Sequence, residues 1–256
     1  MKQYNRYQFK SGSRLVKGEK PDFFDLLVRQ MNQKYVVLDL GCGSGELALK
    51  LAPYCRKIVG IDSYSRYIAT AKKDCKVKKC QNVSFKVCDA KKLPFRRASF
   101  DFIYSSRGPL SASADFLREA ERVLKPGGFM AEETIGETDK LEIKKVFKRG
   151  QNFPYTVKKK TLVRRLLSEF GLKPIYGKDF VYYQKFPSLV SIVRVLTRTP
   201  IIPDFDRRRD NNNLQALKKS LSGRLILSAH RLWWMAQKKN TTNTTKICEK
   251  TPKIVR

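Results

Sequence analysis

An unbroken apolar run, YVVLDL (Tyr35 to Leu40), passes straight into GCGSG (Gly41 to Gly45) and then into GELALKLAPY, a helix-forming stretch. The run is rich in β-branched residues, as expected of a strand covered on both faces. Glycine at alternate positions lets the backbone turn sharply and lets a ligand approach where a Cβ would stand in the way. A strand ending in G-x-G at the start of a helix is a nucleotide-binding turn. Two versions of that turn are disfavoured here. The dinucleotide pattern G-x-G-x-x-G would need its third glycine where Glu46 stands, and the phosphate-cradling G-x-x-x-x-G-K-S/T does not occur.

The chain around the turn repeats one theme. KIVGID (Lys57 to Asp62) is a second buried strand, VSFKVCDA (Val83 to Ala90) a third, SFDFIYSS (Ser99 to Ser106) a fourth and FMAEET (Phe129 to Thr134) a fifth. Helical patterns separate them: SRYIATAKKDCKV, and SADFLREAERVLKPGG with Pro126-Gly127-Gly128 as its stop. Strands alternating with helices from Tyr35 to Thr134 call for a parallel sheet with helices on both faces. In such a sheet the carboxyl ends of the strands line the binding crevice. Asp39, Asp62 and Asp89 lie at three of those ends, with Ser105 and Ser106 at a fourth. Asp62 falls 17 residues beyond Gly45, where an acid can accept hydrogen bonds from both hydroxyls of a ribose.

The remaining chain is less regular. PDFFDLLVRQM reads as a helix with proline at its first position. GETDKLEIKKVFKRGQNFPY reads as a helix and a loop, and TVKKKTLVRRLLSEFG as a helix with a glycine stop. KPIYGKDFVYYQKF is a tyrosine-rich strand, followed by a short helix and a proline-bounded loop, a helix over NNNLQALKKSLSG, and a final strand in RLILSAHRLWWMAQKK. The domain division expected from this is a helical lead-in over 1–34, one catalytic-type domain over 35–239 with insertions near 136–155 and 187–223, and a flexible basic tail over 240–256.

Charge and cysteine content narrow the classes. Lys and Arg total 54 against 23 acids, a net charge of +31, which favours polyanionic partners, although the lysines run from Lys2 to Lys253 without gathering in one arm. The six cysteines form no C-x-x-C pair and His230 is the only histidine, so no metal site is expected and reduced thiols explain the count. SLVSIVRVLTRTPII is the most apolar long stretch, but Arg194 and Arg198 interrupt it, so no transmembrane segment is expected. MKQYNRYQFK has no apolar signal-peptide core, and a cytoplasmic location is the default expectation.

Taken together, VLDLGCGSGELAL, VGIDSYSRYI, CDAKKLPFRRASFDFIYSS and REAERVLKPGGFM resemble the motifs of the class I S-adenosylmethionine-dependent methyltransferases, in the subgroup called methyltransferase type 11. The resemblance covers Tyr35 to Thr134 and implies a Rossmann-like α/β fold: parallel strands with helices on both faces, an antiparallel final strand, and helical insertions over the site. It also implies S-adenosylmethionine as cofactor. Gly41, Gly43 and Gly45, with Cys42 between them, would carry the cofactor over the loop. Asp39 would face its ammonium, Asp62 its ribose with Ser63 and Tyr64 beside the adenine, Asp89 and Ala90 the adenine itself, and Ser105 and Ser106 the methionine part. A cation-bearing cofactor without phosphates suits a cleft of carboxylates.

Because the methyl carbon on a sulfonium is already activated, alignment should supply most of the catalysis. A base is needed only where the acceptor must lose a proton. The candidates are Glu133, His230 and Tyr104, with Glu132 beside them. The expected acceptor is a small organic molecule. One alternative is RNA, held by a basic and aromatic stretch from Lys144 to Arg165 that includes Phe147, Phe153 and Tyr155. The other is a non-catalytic partner subunit that only binds the cofactor.

Overall fold

In the computed structural model, residues 12–151, 153–154 and 157–240 are described. The expected tail beyond 240 and the first eleven residues lie outside that range, as does Tyr155.

The elements run β1 (Arg14–Lys17), α1 (Phe23–Val28), β2 (Val36–Leu40), α2 (Glu46–Leu51), β3 (Lys57–Asp62), α3 (Ser65–Val77), β4 (Val83–Val87), β5 (Phe100–Ser106), α4 (Ala114–Val123) and β6 (Leu124–Ile135). They continue with α5 (Leu141–Phe147), α6 (Lys159–Glu169), β7 (Leu172–Lys185), α7 (Leu189–Arg198), α8 (Asn211–Ser220) and β8 (Ile226–Lys238). The eight strands form one sheet in the order β1-β7-β8-β6-β5-β2-β3-β4. Strands β4, β3, β2, β5 and β6 are parallel neighbours, whereas β8 runs antiparallel to both β6 and β7, and β1 antiparallel to β7. The fold is therefore the expected α/β class with its antiparallel last strand.

Alternation along the strands splits the core. Leu38, Leu40, Ile103, Met130, Leu232 and Trp234 pack on one face of the sheet with α4 and α6. Val37, Phe102, Tyr104, Ala131, Trp233 and Met235 pack on the other with α1, α2 and α3. The segments expected as insertions build a third core with the start of β8, around Ile143, Ile192, Leu196, Ile202, Leu214 and Leu227.

Three local expectations are corrected. The helix expected to run to the Pro126-Gly-Gly stop ends at Val123, and β6 begins at Leu124, five residues before the expected Phe129. Leu124 is already extended (φ −77°, ψ 135°), and a proline disfavours helical backbone at the residue before it, here Lys125. Helix α1 begins at Phe23 rather than Pro21, because the Asp22 side chain caps it by accepting from the Phe24 N–H at 3.0 Å. The lead-in also contains β1, whose four residues are all exposed and so show no burial period to read.

Candidate functional site

Each parallel strand delivers its last residues to the same edge of the sheet. Register pairs Asp39 with Gly60 and Tyr104, and Asp62 with Val87. At the β2 end the three glycines take φ of 79°, 54° and 75°, a region that disfavours other residues. Their missing β-carbons make room for different neighbours. A Cβ on Gly41 would lie 2.9 Å from Pro109 Cδ, and one on Gly45 would lie 2.3 Å from Phe85 Cζ. Gly45 thus seats α2 against the β4 side chain Phe85, while Gly41 lets the loops after β2 and β5 meet.

These loops enclose a cleft of about 290 Å³. Of the residues nominated from sequence, Gly41, Asp62, Ser63, Tyr64, Asp89 and Ala90 line it. Asp62 is held by amides: Oδ2 accepts from Gly43 N at 3.0 Å and Oδ1 from Tyr64 N at 2.9 Å. A carboxylate offers about four lone-pair sites, so each oxygen keeps capacity for one donor from the cleft. Asp89 accepts from Lys91 N at 2.9 Å and is otherwise exposed.

The other nominated residues lie behind or beside the cleft. Asp39 is 2% exposed and accepts from the Tyr104 hydroxyl at 2.8 Å. Burial raises its pKa to about 7; the Tyr104 hydrogen bond opposes that shift and the Asp62 charge adds to it. Tyr104 is itself fully buried, and burial together with Asp39 holds its phenol well above the usual range. Cys42 is half-buried, its thiol pushed up by burial and by Asp39 and Asp62. Ser105 is fully buried with its hydroxyl donated to Leu40 O at 2.7 Å.

Ser106 Oγ lies 3.5 Å from Glu133 Oε1, and Glu133 Oε2 accepts from Trp233 Nε1 at 3.0 Å. Glu132 is fully buried between Trp234 Nε1 (2.8 Å) and Ser111 N (3.2 Å). Burial raises its pKa against the pull of Ser111, Lys159 and Trp234. His230 lies under the first insertion, 5% exposed, with Nδ1 2.8 Å from Thr138 Oγ1 and Nε2 3.1 Å from Asp179 Oδ1.

Ile61, Tyr67, Cys88, Arg107, Gly108, Pro109 and Phe116 also line the cleft and were not nominated. The signal was present in part: Tyr67 follows Tyr64 by three residues on α3, and its ring meets Tyr64 edge-on at 5.6 Å. A second cavity, of about 230 Å³, lies between α6 and β7 over Leu232 and Trp234; no residue nominated for the cofactor or for catalysis lines it, whereas Lys160 and Arg164 of the stretch nominated for RNA do. Among the described residues no group of three His, Cys, Asp or Glu side chains could hold a metal ion, the five cysteines are free thiols, and no helix is long and apolar enough to cross a membrane.

Comparison with known proteins gives the arrangement its relatives. Residues 37–128 match the family model described as a methyltransferase domain. A malonyl-[acyl-carrier protein] O-methyltransferase of Marinomonas sp. (strain MWYL1) is 30% identical over 128 residues, 48% of this chain and 46% of that protein. An uncharacterized methyltransferase, YcgJ of Bacillus subtilis, is 36% identical over 95 residues, 36% of this chain and 37% of that protein. A demethylmenaquinone methyltransferase of Lactococcus lactis is 35% identical over 98 residues, 36% and 38% of the two chains. The chain thus spans less than half the length of each of these curated relatives. Among solved structures, YcgJ superposes with a TM-score of 0.64 at 18% identity, over 85% of this chain and 98% of that one. A Bacillus halodurans protein described as a putative methyltransferase gives 0.65, also at 18% identity, over 85% and 99%. Those two likenesses establish the fold.

Proposed function

We propose that the chain, whose residues 37–128 match the methyltransferase-domain model, is a class I S-adenosylmethionine-dependent methyltransferase that transfers a methyl group from S-adenosylmethionine to a small organic acceptor. One observation carries the reading. Asp62 and Asp89 share a cleft with the β2 glycine turn, and among the described residues Asp62 is paired with amide donors and no cation. Negative charge left over at a nucleotide-type turn suits a nucleoside that carries positive charge rather than phosphate. The names of the relatives agree, since malonyl-[acyl-carrier protein] and demethylmenaquinone are both small-molecule or carrier-bound acceptors.

The donor set fits the cofactor. Asp62 would take the ribose hydroxyls on its two free lone-pair sites. Tyr64 and Tyr67 would flank the base, and Asp89 with the Ala90 N–H would face its edge. When bound, the cofactor supplies a methyl group on a sulfonium, open to in-line displacement. The chain's part is to hold donor and acceptor in line and to exclude water. Where the acceptor must lose a proton, Glu133 is the best-placed carboxylate. It is only partly buried and lies 3.6 Å from Arg107, which lines the cleft. Tyr104 is committed to Asp39, and His230 to Thr138 and Asp179. We read both as structural supports, with Ser105 tying β5 to β2.

A second reading, RNA as acceptor, rests on the net charge of +31. Part of the stretch nominated for that role is turned inward: Lys144 is 2% and Phe147 5% exposed. The cytoplasm remains the proposed location. The deciding experiment incubates the protein with methyl-labelled S-adenosylmethionine and a cell extract, then separates RNA, protein and small molecules. Label in the small-molecule fraction is expected. RNase-sensitive label would put the RNA reading first, and no transfer with intact cofactor binding would leave the non-catalytic subunit.

A further inference from the structure

The loop after β5 holds one charge that its own protein partner pairs only loosely, at 3.6 Å. Gly108 is pressed flat on the sheet, where a Cβ would stand 2.3 Å from Ser105 Oγ and 2.7 Å from Leu40 O. That packing, with Gly41 against Pro109, fixes the loop. Arg107 precedes it at φ 56°, left-handed backbone that is costly for a residue with a β-carbon. The Arg107 N–H is tied to Glu133 O at 2.7 Å. Its side chain is 58% exposed yet lines the cleft, and among the described residues its only ion pair is Nε to Glu133 Oε1 at 3.6 Å. Glu133 is shared with Trp233 and Ser106, so most of the guanidinium's five donors stay free.

Among the described residues that line the cleft Arg107 is the one cation, and Asp62 and Asp89 are the carboxylates. A guanidinium repels the sulfonium and ammonium of the cofactor and suits an oxyanion, which the cofactor offers only in its carboxylate. We propose that Arg107 anchors the acceptor through an oxyanion, which makes the substrate class a small organic carboxylate or phosphate with an apolar body. The guanidinium fork matches either group with two parallel hydrogen bonds. Phe116 and Pro109, which line the same cleft, offer the apolar contact. This inference rests on the methyltransferase reading and names the substrate class of that site.

The test begins with calorimetric titration of S-adenosylhomocysteine, which reports on the cofactor reading by itself. Failure there sinks that reading before any acceptor probe is added. The protein saturated with S-adenosylhomocysteine is then titrated with octanoate, octyl phosphate and octanol. At least one anion is expected to bind about tenfold or more tightly than octanol, in line with a charge-assisted pair. The stronger anion tells carboxylate from phosphate. Arg107→Gln should erase the preference and Arg107→Lys should keep part of it, both with S-adenosylhomocysteine affinity within about twofold of the parent. Three results overturn the proposal: equal binding of octanol, no anion binding, or a preference that survives in Arg107→Gln. So does an equal loss of S-adenosylhomocysteine affinity in Arg107→Gln, which would assign the guanidinium to the cofactor's own carboxylate.

Discussion

Two carboxylates of this sheet, Asp62 and Asp139, meet opposite fates. Asp62, at the end of β3, is held by two backbone amides and faces a cleft. Asp139 follows β6, in the turn before α5. It is 4% exposed, with Arg231 Nη1 at 2.7 Å, His230 N at 3.1 Å and Lys140 Nζ at 3.9 Å. Burial alone would raise the pKa of Asp139, but Lys140 and Arg231 overcome it and hold the group below its usual value. A buried carboxylate whose cations come from its own chain has its charge consumed by the fold. One fixed only by amides keeps its charge for a ligand. By the same test His230 belongs with Asp139, although a lone histidine near the sheet edge looks like a catalyst from sequence.

The largest effect that could break this contrast is on stability. Asp139→Ala leaves Arg231 and Lys140 buried beside an empty site, and should cost about 3–5 kcal/mol in urea denaturation. The fraction that stays folded should bind S-adenosylhomocysteine as before. A variant of full stability that lost the ligand would put Asp139 in the site instead. Asp62→Ala should do the reverse. With two charged hydrogen bonds to the ribose gone, affinity for S-adenosylhomocysteine should fall about 100-fold by calorimetry. Asp62→Asn, whose single amide oxygen can accept from only one of the Gly43 and Tyr64 N–H groups, should lose affinity as well. Unchanged affinity in both variants would remove Asp62 from the cofactor site.

What could be read beforehand follows the same physics. The glycine turn, the buried strands and the strand-end acids were legible because each depends on local chemistry: φ above zero at Gly41, Gly43 and Gly45, and apolar runs of strand length. The β8 segment was legible as a final strand, and the structure buries both of its faces. Arg107 was not, since nothing local marks an arginine with φ of 56°; only the packing of Gly108 on Leu40 and Ser105 puts it there. The inward turn of Lys144 was hidden too. A lysine-rich helix reads as a solvated face, whereas α5 is enclosed by the second insertion, which sequence reading had placed over the site without giving it a core of its own. The extended backbone at Leu124 was masked because R-V-L-K-P-G-G carries a helix stop that acts three residues later than the helix ends.

Asp39 lies between the two fates, and its titration sharpens the comparison. Among the described residues it has no cationic partner, and it does not line the cleft; it is buried behind the glycine turn with the Tyr104 hydroxyl as its donor. Its folded pKa of about 7 lies above the ordinary carboxylate value because burial disfavours the charge. Between pH 4 and 7 the folded protein therefore binds more protons than the unfolded chain, so Asp39 contributes stability at low pH that is lost as pH rises through 7. Ligand binding runs the other way. An ammonium near the turn is attracted only by the ionised form, so S-adenosylhomocysteine should bind about tenfold more weakly at pH 6 than at pH 8. Tyr104→Phe removes the hydrogen bond that lowers the pKa, and should move that midpoint upward while Asp39→Asn flattens the profile. A parent profile already flat across pH 6–8 would mean that Asp39, like Asp139, serves the fold alone.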